Sequence, residues 1–194
     1  MKQIAIFVCG APVTGKTTTT NALKEFFEQA GTTVQVISRQ PNTGYDATLT
    51  NMDLNIYKWR NEKSSEILLI DGPGLTVYDR EVLLKGLKDI TTVAIWHNRS
   101  HIFMYNHNND HGHSSWNDRS ILARANMDQQ PIQREGFKVV YHVGGTSYLD
   151  LPGFIANLNI RAGTKYPIPE KPSEGDVFAP DPDGDSADTG AAED

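Results

Sequence analysis

Gly10 to Thr17 reads GAPVTGKT, and the way this stretch must fold decides the architecture around it. It matches G-x-x-x-x-G-K-[ST] in full. An apolar run, Ile4 to Cys9, precedes it and a helix-forming stretch follows, which is the strand-to-helix setting in which such a loop cradles phosphate. Gly10, Ala11, Pro12, Val13, Thr14 and Gly15 are then expected to wrap a polyphosphate with their backbone, and Lys16 to reach the β- and γ-phosphates. The Thr17 hydroxyl joins a Mg2+ shell, and Thr18 continues the first turn, whose N–H groups add the positive end of the helix dipole. The expected ligand is a nucleoside triphosphate with Mg2+.

Working outward, TTTTNALKEFFEQAG places Leu23, Phe26 and Phe27 at helical spacing and ends on Gly31, a C-terminal stop signal. TTVQVIS alternates like a strand up to Ser38. The polar, Asn-rich region from Gln40 to Ser65 shows only a short helical pattern, Leu54, Ile56, Tyr57 and Trp59, before the apolar strand EILLID. GLTVYDREVLLKGLKD predicts a helix, TTVAIWH and FKVVYHV a fourth and fifth strand, and SYLDLPGFIANLNI a last helix interrupted near Pro152 and Gly153. Strands alternating with helices predict an α/β fold, a parallel five-stranded sheet flanked by helices on both faces. Residues 97–133 form a long polar insertion with one helix around Arg119 to Met127, and an insertion of that length in a compact domain reads as a lid.

The chain has 194 residues, enough for one such domain, here residues 1–163. From 164 to 194 Pro, Gly, Asp, Glu, Ser and Ala dominate, the composition of a disordered acidic tail. The net charge of −6 is unevenly spread: Glu170 to Asp194 carries nine acidic residues and one lysine, leaving 17 basic against 15 acidic residues up to Pro169. That mildly basic body suits a phosphorylated substrate but is too weak to imply nucleic-acid binding from charge alone. The single cysteine excludes a disulfide framework, and no apolar stretch is long enough to span a bilayer. With no signal peptide ahead of the first strand, the expectation is a cytoplasmic protein without a membrane partner; its oligomeric state is left open.

Asp71 closes the third strand and is followed by Gly72, Pro73 and Gly74. An aspartate ending an apolar strand beside a phosphate loop is placed to hold Mg2+, and it is the second expected metal residue with Thr17. On these residues the chain resembles the P-loop NTPases of the nucleoside and nucleotide kinase group, over roughly Lys2 to Ile160. ILLIDGPG is similar to the L-D-G-x-P stretch of adenylate kinases, though Gly74 and the lack of a nearby arginine depart from it. VISRQP is similar to the acceptor-handling segments of thymidylate and polynucleotide kinases. The resemblance implies a sheet ordered 2-3-1-4-5, ATP and Mg2+ as cofactors, and a nucleotide or DNA acceptor. Small phage-type kinases of this group include some that phosphorylate 5-hydroxymethyluracil in DNA, which would place the protein in a host cytoplasm.

Phosphoryl transfer needs cations about the γ-phosphate and, for a hydroxyl acceptor, a carboxylate near it. The expected catalytic set is Lys16, Asp71 or Asp46 as base, and Arg119 supported by Arg124; Arg99 is a further candidate cation. Should the acceptor be a phosphate, no base is needed. His107, His111 and His113, with Asp110, have spacing that suits Zn2+, against the simpler reading of a polar arm. Tyr45, Tyr57, Tyr105 and Trp116 are candidate stacking groups, and Lys58, Arg60 and Lys63 candidate backbone contacts to a polymer. A free nucleoside or nucleotide monophosphate kinase is the alternative acceptor class. A GTPase is the alternative outside kinases: DGPG fits D-x-x-G, but no N-K-x-D or T-K-x-D occurs. A motor-like or regulatory ATPase module is the third.

Overall fold

A computed structural model describes residues 3–39, 44–72, 76–110, 117–144 and 148–170. Five strands, β1 (Ile4–Gly10), β2 (Val34–Ser38), β3 (Ile67–Asp71), β4 (Thr91–Asn98) and β5 (Val139–Gly144), form one parallel sheet in the order β2-β3-β1-β4-β5. The helices are α1 (Lys16–Gln29), α2 (Tyr45–Glu62), α3 (Val77–Lys85), α4 (His101–Asp110), α5 (Asp118–Met127) and α6 (Leu151–Ala162). This is the expected α/β fold and strand order.

The two sheet faces follow from strand alternation. Ile4, Ile6 and Val8 of β1 point to the layer holding Leu23 and Phe27 of α1 and Phe154, Ile155 and Leu158 of α6. Ala5, Phe7 and Cys9 point to the other layer, where Met52, Ile56 and Trp59 of α2 meet Leu83 of α3. Because β1, β3 and β4 are buried on both faces, they read as continuous apolar runs. All strands run the same way, so the loops after β1, β3 and β4 gather at one sheet edge, where ligands bind in open α/β folds.

Three elements differ from the sequence reading. α2 spans 18 residues rather than a short turn. Its buried stripe is Leu49, Met52, Ile56 and Trp59, at helical spacing, while Leu54 and Tyr57 are 54% and 62% exposed; packing of that stripe overrides the poor propensity of its Thr and Asn residues. The insertion carries two helices, α4 and α5, and His97 belongs to β4 rather than to the insertion. α6 is uninterrupted, because Pro152 lies in its first turn, where a missing N–H costs nothing, and Asp150 caps Gly153 N at 3.2 Å.

Of the expected tail, Thr164 to Glu170 runs without regular structure; Tyr166 meets Phe27 edge-on at 4.9 Å and its backbone bonds Asn159 on α6. Residues 171–194 lie outside the described part. Among the described residues no helix is long and apolar enough to cross a membrane.

Candidate active site

The phosphate loop is shaped by its backbone. Gly10 (φ 138°) and Gly15 (φ 86°) occupy conformations that L-residues avoid, and Val13 is also left-handed at φ 53°. A β-carbon on Gly10 would lie 2.8 Å from the His97 carbonyl, so β1 and β4 can meet here only at glycine. The Thr14 hydroxyl donates to Ala11 O at 2.8 Å and ties the loop across itself. From below, His97 Nδ1 lies 2.9 Å from Thr14 O. A carbonyl only accepts, so Nδ1 carries the proton, leaving Nε2 as a buried acceptor without a partner among the described residues. Burial, then the nearby Lys16 charge, push the His97 pKa down to about 3, so the ring is neutral at ordinary pH.

Arg99, the further candidate cation, lies against the loop from the β4–β5 side. Its Nη1 donates to Gly144 O at 3.2 Å, its Nε reaches Thr14 O at 3.4 Å, and its guanidinium lies 4.6 Å above the Phe103 ring. It bolts the loop to the ends of β4 and β5.

Lys16 and Thr17 open α1. Lys16 Nζ donates to Ala11 O at 2.6 Å, which holds the ammonium above the loop. Burial lowers its pKa, and Asp71 and Asp128 oppose the shift. Thr17 Oγ1 donates to Asp71 Oδ2 at 2.8 Å, joining the loop to the end of β3. A hydroxyl and a buried carboxylate at that separation are hard oxygen donors that fit Mg2+ beside a polyphosphate, and Lys16 supplies the adjoining positive charge. Thr18 is exposed on the next position of the first turn, while Thr19 and Thr20 are buried.

The α4–α5 arm rests directly on the loop. Met104 and Ile121 bury against Ala11, with Val13, Phe103 and Ala125 around them. Arg124 follows Ile121 by three residues and shares its loop-facing side, half-buried; Arg119 precedes it by two, about 200° around the helix, and is exposed. The structure therefore brings Arg124 nearer the loop and leaves Arg119, the favoured candidate, on the outer side. His107 stacks on Phe103 at 5.6 Å; His111, His113 and Trp116 lie outside the described residues, as do the Asp110 and Tyr45 side chains. Among the described residues no cluster suited to a metal occurs.

On the α2 side, Ser38 pairs with Asp71, and Arg39 passes close to Gly72, which places the segment after β2 beside the metal-side aspartate. Asp46 is exposed in the first turn of α2. Lys58, Arg60 and Lys63 sit at the opposite end of that helix, where it turns back toward the start of β3; Arg60 donates to Gly86 O at 3.2 Å. They are not grouped with the loop. Trp59 is fully buried and donates to Ser65 at 2.8 Å, a core residue.

Two residues escaped the sequence reading. Trp96, beside His97 on β4, donates its indole N–H to Asp128 Oδ2 at 3.0 Å. The available signal was an aromatic with a polar tip at the buried end of a strand, which requires an acceptor; nothing in the sequence said which.

The chain matches no sequence-family profile and no curated protein. Solved structures are more informative. A fungal RNA kinase is similar over 90% of this chain and 48% of its own, with a TM-score of 0.59 at 15% identity. The chain has the fold of the P-loop kinases. A gluconokinase from Sinorhizobium meliloti 1021 is similar over 82% of this chain and 94% of its own (TM-score 0.56, 14% identity). A sugar kinase from Janibacter sp. HTCC2649 matches over 84% and 95% (TM-score 0.56, 11% identity). Identities this low speak to the fold, and the chemistry must come from the site.

Proposed function

We propose that the chain is an ATP- and Mg2+-dependent kinase that transfers the γ-phosphoryl group to a hydroxyl of a nucleoside, nucleotide or DNA base, with 5-hydroxymethyluracil in DNA as the specific acceptor. The observation that carries the transferase reading is the Thr17–Asp71 hydrogen bond beside Lys16, which assembles both nucleotide signatures at one sheet edge. When bound, Mg2+ held by Thr17 and Asp71 would neutralise charge on the β- and γ-phosphates. The loop N–H groups and the α1 N-terminus orient the polyphosphate. Lys16 offers its ammonium to the charge that builds on the leaving oxygen, and Arg124, on the Ile121 side of α5, is the arm's candidate cation.

A small polyol or sugar-acid acceptor is a second reading, favoured by two observations. Two of the similar folds are a gluconokinase and a sugar kinase, and the cations expected to follow a polymer lie at the far end of α2. The deciding experiment incubates the protein with γ-labelled ATP and Mg2+ against nucleosides, monophosphates, gluconate, plain DNA and DNA carrying 5-hydroxymethyluracil. Label entering only the modified DNA supports the specific reading, label in gluconate supports the second, and no label in any acceptor overturns the kinase.

A further inference from the structure

Asp128 is the first residue after α5, and the chain beyond it is fastened to the body. Arg80 of α3, fully buried, forms two bonds to Glu135 (Nε–Oε2 2.6 Å, Nη2–Oε1 3.0 Å) and a third to Gln129 O at 2.8 Å. Val77 N donates to Gln129 Oε1 at 2.8 Å. These contacts fix the strap that carries Asp128, and the Trp96 indole then fixes its carboxylate through Oδ2. The other oxygen, Oδ1, is buried and receives no hydrogen bond of good geometry from a described residue, the Ala11 N–H acting on the carboxylate only weakly. A buried carboxylate oxygen without a close donor is costly, and a donor brought by a bound molecule would relieve that cost.

Its location indicates which donor. Trp96 packs with the α2–α3 layer, the face opposite α1 and α6, so Asp128 approaches the loop from the side where the segments after β2 and β3 end. The Lys16 charge and the Ala11 backbone N–H act on the carboxylate from the loop, and Arg80 acts on it from α3. Burial outweighs them and raises its pKa, which makes it a stronger base than an exposed aspartate. Neither other candidate carboxylate is so placed: Asp71 is engaged with Thr17 on the metal side, and Asp46 is exposed at the start of α2.

Resting on the kinase reading above, we propose that Asp128 is the acceptor-side base, its Oδ1 receiving the hydrogen bond of the attacking hydroxyl. In the transfer step the acceptor oxygen forms its bond to the γ-phosphorus while the bond from that phosphorus to the β,γ-bridging oxygen breaks. The bridging electron pair leaves with ADP, and the hydroxyl proton moves to Asp128 Oδ1.

The test compares wild type with Asp128→Asn, using γ-labelled ATP and four hydroxyl probes: single-stranded DNA carrying 5-hydroxymethyluracil, thymidine, gluconate and 5′-hydroxyl RNA. Asn keeps an oxygen for Trp96 but cannot take a proton. Its kcat should fall about a hundredfold to ten-thousandfold on the probe that wild type labels. Affinity for a non-hydrolysable ATP analogue should stay within about threefold, since the nucleotide contacts are untouched. Transfer within about fivefold of wild type overturns the role. Parallel loss of analogue binding and transfer also overturns it, showing that Asp128 merely supports the loop. A wild type that labels none of the probes overturns the kinase reading itself. Should the Asn variant fail to fold, Trp96→Phe keeps the carboxylate but frees its orientation; kcat should drop roughly tenfold with analogue binding retained, and an unchanged kcat counts against the proposal.

Discussion

The phosphate loop and the α4–α5 arm touch through Ala11 and Val13, yet they are held in place by different means. The loop is fixed by backbone: two glycines in conformations that other residues rarely adopt, a hydroxyl strut at Thr14, and buried His97 and Arg99 both bonded to Thr14 O. The arm is fixed by a few apolar side chains, Met104 and Ile121 foremost, with exposed residues such as Ile102, Tyr105 and Leu122 on its outer surface. The loop is thus part of the sheet's cooperative unit, whereas the arm has the small buried contact set of a segment that opens locally. The difference sets a rigid floor against a looser element resting on it.

The sharpest way to break the floor is chemical. Asp71→Asn preserves size but weakens the metal pair with Thr17, and transfer should fall roughly a hundredfold to ten-thousandfold. Lys16→Ala should remove at least about a hundredfold, near 2.7 kcal/mol, with the fold retained by circular dichroism. Steady-state transfer and ATP-analogue titrations check both; near wild-type turnover in either variant would contradict the assignment of Lys16 and Asp71 to the reacting phosphates.

Next in size is the strap behind the arm. Arg80→Met leaves Glu135 buried without its cation, only the Ile132 N–H remaining on Oε1, and breaking such a pair costs about 3–5 kcal/mol. Urea unfolding should show that loss in full, and adding Glu135→Met should recover much of it. A loss well below 1 kcal/mol in Arg80→Met would mean that the strap does not share the cooperative unit of the floor.

The loop's core was legible because its signals are local. GAPVTGKT and ILLID each announce their local structure within a few residues, and the alternation of strands and helices gives the layers. α2 was not legible, since Thr, Asn and Asp obscure a stripe whose burial depends on Phe7 and Leu83 arriving from elsewhere. Among the candidate cations, the favoured Arg119 faces away from Ile121, a half-turn that sequence spacing alone could not orient against the loop, while Arg99 bonds Thr14 and Gly144, partners that only the fold brings to it. Asp128 gave no local signal at all: its environment is assembled from β4, α3 and the loop, which meet only in three dimensions.

The floor should also respond to acid. His97 has a pKa near 6.5 when unfolded and about 3 when folded, so between those values the unfolded chain binds the proton that the native state refuses. Stability from this residue is fully present above pH 6.5 and is lost as pH falls, by about 1.4 kcal/mol per pH unit. His97→Asn keeps a donor for Thr14 O but does not titrate, so its stability should decline less steeply between pH 6 and pH 4. Equal slopes for the two proteins in urea melts at each pH would place the His97 ring in water rather than beneath the loop.

The smallest effect belongs to the arm and tests whether it is separable from the floor. Ile121→Ala removes the largest α5 side chain in the contact with Ala11, in a cluster with only two other buried residues. If the arm opens on its own, its lost contacts appear in local opening and leave global unfolding nearly unchanged. The melting temperature should then move by no more than the 2–4 °C that about 1 kcal/mol represents in a domain of this size. Limited proteolysis between α4 and α5 should quicken about fivefold, the ratio that the same 1 kcal/mol implies for a local equilibrium. Uniform acceleration of cleavage in the arm and the sheet would show instead that the arm unfolds only with the floor, and the contrast between the two regions would be one of shape and not of stability.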